Sequence, residues 1–135
     1  MMLDLLAAQS RMEGLEPKAA LLVRTIRVWA GLKAARRCPM AMALDRLGSV
    51  EAANGLRLLV VMMSAAWPDP IALAPPCCPV LSHDEALIGG LFAAAAIGDR
   101  PGFDTEAQDM LDADARCRLW CGMRNLAAAI HLPAA

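Results

Sequence analysis

SHDEALIGGLFAAAAIGD, residues 82–99, decides how the chain is to be read. Ser82 and Glu85 have the S-x-x-E spacing of a capping box. The serine hydroxyl takes the amide three residues on, and the glutamate reaches back to the amide of the cap. Asp84 and Glu85 also place negative charge in the first turn, where the helix dipole favours it. Leu87, Leu91, Ala94 and Ala95 then recur at helical spacing, and Gly89, Gly90 and Ala93 form a small-residue surface that allows close packing. Gly98 is suited to the left-handed position after a helix end, and DRPG (99–102) reads as a turn.

The same grammar extends upstream. Five of the nine prolines fall in residues 68–81, which excludes regular helix there. Before that loop, Ser49 is an N-cap candidate for VEAANGLRLLVVMMSAAW, which must stop near Trp67 because Pro68 and Pro70 follow. MAMALDRL (40–47) makes a short helix closed by Gly48. Pro17 is a favourable first helical residue for KAALLVRTIRVWAGLKAARR, which ends before Pro39 because a residue preceding proline avoids the α region. Downstream, Asp104 or Thr105 can cap a final helical stretch over 106–131, with an interruption near DADA (112–115).

No alternating apolar pattern of β-branched and aromatic residues suggests a strand. The expectation is therefore all-α: a single helical domain over residues 1–135, built as a compact bundle of four to five helices with the proline-rich loop 68–81 packed across it. Residues 1–14 are expected as a loosely attached N-terminal segment. At 58% hydrophobic and 20% charged residues, the composition excludes disorder. The longest apolar runs, LLVVMM (58–63) and ALIGGLFAAAAIG (86–98), fall short of the ~20 residues that span a bilayer. The N-terminus has no charged segment ahead of its apolar stretch and is not read as an export signal. A cytoplasmic protein with reduced thiols is expected, since five cysteines fit a complete disulfide framework poorly.

The CCPVLSHDEALIGGLFAAAAIGD segment (77–99) resembles small Ala-rich helical proteins of alphaproteobacteria grouped as domains of unknown function. The likeness covers the second half of the chain. It rests on Cys77, Cys78, Leu81, Ser82, Asp84 and Glu85 ahead of an apolar helix. The resemblance implies a bacterial helical protein and carries no activity with it.

Cysteine is the one chemistry-bearing residue in unusual supply. Cys117 and Cys121 are four apart and share a helix face. Two such thiolates can hold zinc or another soft metal, given further ligands from Cys77, Cys78, Cys38 or His83. The stripe Leu111, Cys117, Cys121 and Ala128 is read as facing the core. The spacing matches no zinc finger or ribbon, and the four sulfurs are expected to be dispersed. Cys38, after Arg36 and Arg37, best suits a low-pKa redox thiol, although no C-x-x-C motif is present.

His83 and His131 are the only histidines. Contiguous Ser82, His83 and Asp84 cannot form a triad at a helix start, and the chain lacks G-x-S-x-G, H-E-x-x-H and glycine-rich phosphate loops. Asp109, Asp112 and Asp114 do not have the spacing of a calcium loop. Catalytic and cofactor-binding residues are therefore not assigned, and the protein is not expected to be an enzyme.

Arg24, Arg27, Lys33, Arg36 and Arg37 read as a solvated helix face or a surface for an acidic partner. Nucleic acid is not the expected ligand, because the sequence pI is about 6.1 and aromatic residues do not alternate with this basic stretch. Residues 1–57 hold nine Lys/Arg against five Asp/Glu, and residues 58–135 hold four against nine. This asymmetry lets the two halves attract one another as they fold together, and the same asymmetry suits head-to-tail association. The leading expectation is a non-enzymatic interaction or self-association module without a cofactor. The alternative is a thiol-based metal or redox sensor using Cys77, Cys78, Cys117 and Cys121.

Overall fold

The fold starts from well-capped helices, as the sequence demands. A computed structural model describes residues 10–132, among which there are six α-helices and one short 3-10 turn, Met12–Gly14. The helices are α1 (Pro17–Ala34), α2 (Met40–Leu47), α3 (Val50–Ala66), α4 (His83–Ala96), α5 (Arg100–Ala107) and α6 (Ala113–Ala129). Pro17 opens α1 behind Glu16, whose carboxylate accepts from the Ala19 amide. Ser49 caps α3 by accepting from Ala52, and Ser82 and Glu85 complete the capping box of α4. Gly98 stands at φ 76, the left-handed conformation expected after α4. Arg36 adopts the same conformation after α1 at φ 59, and the Arg37 amide closes that helix end on Leu32 O at 2.8 Å.

The count of four to five helices is corrected to six, because the C-terminal third divides earlier than its periodicity indicates. DRPG is the start of α5 and not a free turn. Asp99 accepts from the Gly102 amide at 3.0 Å, and Pro101 sits in the first turn, where its missing N–H costs nothing. Asp99, rather than Asp104 or Thr105, is the cap. Helix α5 ends at Ala107, and Asp112 caps α6 by accepting from Ala115 at 2.8 Å. The interruption therefore lies at residues 108–112.

Helices α3 and α6 run antiparallel and form the broadest helix–helix contact. Ser49 at the start of α3 donates to Ala129 O at the end of α6. Further along, Gly55 faces Leu126 and Met62 lies over Gly122. Helix α4 packs on α1, α5 and α6, and α2 closes one end against α1 and α3. Phe92, Phe103, Leu56, Leu59, Met63, Leu119 and Met123 fill the centre, each fully buried. A smaller cluster of Met12, Ala20, Val23 and Leu81 lies where the proline loop crosses α1.

Of the segment expected to be loosely attached, residues 10–14 are held to that loop. Met12 N donates to Pro79 O at 2.8 Å and Leu81 N to Ser10 O at 2.8 Å, around an antiparallel bridge between Arg11 and Val80. Residues 1–9 of that segment lie outside the described residues. No described helix is long and apolar enough to cross a membrane.

Candidate interaction surface

The proline loop is fixed by one buried ion pair. Arg27 Nε donates to Glu85 Oε2 at 2.7 Å and Nη2 to Oε1 at 2.9 Å, with the two side chains 1% and 0% exposed. The remaining guanidinium protons go to the loop backbone: Nη1 to Cys78 O at 2.8 Å and Pro76 O at 3.4 Å, and Nη2 to Val80 O at 3.2 Å. Glu85 in turn accepts from Ser82 N at 2.8 Å and Ala74 N at 3.2 Å. Burial alone would raise the Glu85 pKa. The hydrogen bonds from Arg27, Ser82 and Ala74, together with the Arg27 charge, outweigh it and hold the carboxyl below its ordinary range.

All five N–H donors of Arg27 have acceptors, so the pair has no spare valence for a ligand. Its role is to anchor the loop. Arg27 therefore leaves the basic face on which its helical spacing had placed it, while Arg24, Lys33, Arg36 and Arg37 are exposed.

The residues beside Glu85 are also engaged with the loop. Ser82 Oγ donates to Ala72 O at 2.6 Å, and Asp84 accepts from Ala72 N at 2.7 Å and from Trp67 Nε1 at 3.4 Å. His83 and His131 are exposed.

The cysteines divide into separate places. Cys77 and Cys78 line a hollow of about 320 Å³ with Arg24, Arg27 and Met12. Cys117 and Cys121 line another, of about 440 Å³, between α3 and α6. Cys38 is exposed beyond the end of α1, and all five thiols are free. The core-facing assignment of Cys117 and Cys121 is corrected, since both are exposed. The inward stripe of α6 is Leu119, Met123, Leu126 and Ala127. Each cysteine lies two residues from Leu119, about 200° round the helix, and so points away from that stripe. Among the described residues, no three or more His, Cys, Asp or Glu are grouped so as to hold a metal ion.

The hollow between α3 and α6 belongs to a larger apolar face. Val50, Leu58 and Val61 on α3 are 61%, 54% and 60% exposed, and Leu44 on α2 is 43% exposed. The groove beside them is floored by Gly55 and Gly122, where the two helices come close, and walled by Met62, Cys117 and Cys121. Water-facing aliphatic residues cost little when scattered, but several along one helix form a patch of the kind that binds another protein. The sequence marks this side of α3 with Glu51, Asn54, Arg57 and Ser64, but the apolar Val50, Leu58 and Val61 interleaved with them look like core residues by type.

Two other features complete the surface. A hollow of about 660 Å³ between α1, α3 and the loop is lined by Ile26, Trp29, Met63, Trp67 and Leu73, with Lys33 and Asp69 among its polar lining. On α6, Trp120 packs edge-on to Phe103 and lies under the guanidinium groups of Arg100 and Arg124, 5.4 and 5.6 Å from the ring centre. Among the described residues, the fold is a small helical domain that leaves an apolar stripe of α3 exposed beside a groove, with Ile97 and Leu132 exposed elsewhere. No family model, curated protein or solved structure matches this chain.

Proposed function

We propose that this protein is a non-enzymatic interaction module that contacts another protein chain through the α3/α6 face. The observation that carries this reading is the exposed stripe Val50, Leu58 and Val61 beside an apolar groove. Helices laid into such grooves are a recurrent mode of recognition, with anchors at helical spacing. The Arg27–Glu85 pair and Ser82 also favour a binding role, because their polar groups are consumed in holding the loop. A cytoplasmic location belongs to the same reading, because five cysteines fit a complete disulfide framework poorly.

Cys117 and Cys121 are built-in probes of this face. A cell-permeant maleimide should label them more slowly in the protein's own cells than in dilute purified protein, with Cys77 as the internal standard. The double variant Leu58→Glu/Val61→Glu should abolish that protection. Equal labelling in both settings would overturn the reading.

A further inference from the structure

The hollow between α1, α3 and the proline loop has the build of a small-molecule site. Its volume of about 660 Å³ falls within the ~300–1,000 Å³ of such sites. Trp29 of α1, Met63 of α3 and Trp67 just after α3 give it an apolar interior, and all three are buried. The loop supplies the remaining wall, and it is held stiffly. Pro68 and Pro70 restrict the backbone on either side of Asp69. Ile71 and Leu73 line the hollow, while the residues alternating with them are tied to the start of α4. Ala72 N donates to Asp84 Oδ2 at 2.7 Å, Ala72 O accepts from Ser82 Oγ at 2.6 Å, and Ala74 N donates to Glu85 Oε2 at 3.2 Å. The buried Arg27–Glu85 pair thus fixes a wall whose apolar side chains are already in place for a ligand.

The rim carries one charge of each sign. Lys33 stands in the last turn of α1 and Asp69 on the loop, and both line the hollow and are exposed. Among the described residues neither forms an ion pair, with the other or with any third group. An apolar carboxylate would answer Lys33 and meet Asp69 as a like charge. An apolar amine would answer Asp69 and be repelled by Lys33. Only a ligand with both charges at its polar end and an apolar body satisfies the whole lining. We propose that the hollow binds the zwitterion of an apolar α-amino acid, free or as a short peptide. Its carboxylate faces Lys33, its ammonium faces Asp69, and its side chain lies against Trp29, Trp67 and Leu73. Ser64, also on the lining and exposed, offers a hydroxyl able to donate to the carboxylate or accept from the ammonium.

The test is titration of the full chain with L-phenylalanine and with L-leucyl-L-phenylalanine, read by tryptophan fluorescence and by calorimetry. Two further probes keep the phenyl body and drop one charge each: 3-phenylpropionate lacks the ammonium, and phenethylamine lacks the carboxylate. The zwitterions should shift the emission saturably, and each one-charge probe should bind roughly fivefold or more weakly than L-phenylalanine. Lys33→Met should weaken L-phenylalanine by a similar factor without weakening phenethylamine. Asp69→Asn should weaken it likewise without weakening 3-phenylpropionate. Both substitutions lie at exposed positions, and an unchanged urea midpoint confirms that each variant folds. Trp120 packs on Phe103 away from the hollow, so Trp120→Phe should retain the fluorescence response. Tighter binding of the dipeptide would identify a peptide as the source of the zwitterion, and tighter binding of L-phenylalanine the free amino acid. No saturable binding of either zwitterion at millimolar concentration would overturn the proposal. So would equal affinity for the three phenyl probes, or indifference to both variants.

Discussion

Replacing Arg27 by Met removes the cation from a carboxylate that has no access to water. The Glu85 side chain is 0% exposed, and its partner closes two hydrogen bonds of 2.7 and 2.9 Å. Breaking such a pair from one side costs about 3–5 kcal/mol, against a typical domain stability of about 5–15 kcal/mol. With a urea slope of about 1–3 kcal/mol/M, the unfolding midpoint should fall by roughly 2 M. Glu85→Leu should cost a similar amount, since it leaves the guanidinium buried and unpaired.

The informative variant is the double, Arg27→Met/Glu85→Leu. Where a buried pair bonds only to itself, apolar replacement of both partners is near neutral or stabilising. Here the pair also serves five backbone groups: the carbonyls of Pro76, Cys78 and Val80 and the amides of Ala74 and Ser82. At about 1 kcal/mol each, with some recovered by hydration, the double should remain roughly 3–5 kcal/mol below the parent. It should match one single variant and not the sum of the two.

A double variant at parental stability would refute the assignment of loop anchoring to this pair, and strict additivity would refute the contact itself. The pH dependence follows from the same geometry. Glu85 titrates lower in the folded protein than in the unfolded chain, so its contribution is complete above the unfolded value, about pH 4.3. It is lost as the pH falls through the lower folded value. Glu85→Gln should flatten that part of the acid-unfolding curve.

Ser82→Ala removes both the acceptor for the Glu85 amide at 3.0 Å and the donor to Ala72 O at 2.6 Å. A loss of about 1–2 kcal/mol is expected in urea titration, with association unchanged. Arg36→Gly should act in the opposite direction. Relief of the left-handed backbone at φ 59 should raise stability by about 0.5–1 kcal/mol and be measurable as a higher Tm. A lower Tm would show that the Arg36 side chain makes a stabilising contact.

Local features of the chain were legible because their causes are local. The capping box of Ser82 and Glu85, the Ser49 cap, Pro17 at the start of α1 and Gly98 after α4 each depend on residues within one turn. So does the exclusion of helix from the proline loop. Errors came where helical periodicity admits more than one answer. Helix α6 carries Leu, Met, Cys, Trp and Ala on several sides, so two stripes compete as the core face. The stripe through Leu119 and Met123 is the one buried in the core, which turns Cys117 and Cys121 outward. DRPG was ambiguous in the same way, since Pro suits both a turn and the first turn of a helix.

Sequence alone therefore determined the all-α class, most helix ends and the position of the crossing loop, all of which follow from backbone rules acting over a few residues. Tertiary structure alone decided which polar residues are buried and which apolar residues are left out. Arg27 and Glu85 are 58 positions apart, and no local pattern reports their union. Val50, Leu58 and Val61 look like core residues by type. They are outward because α6 and α2 cover the other sides of α3, a matter of where whole helices pack and not of what each residue prefers.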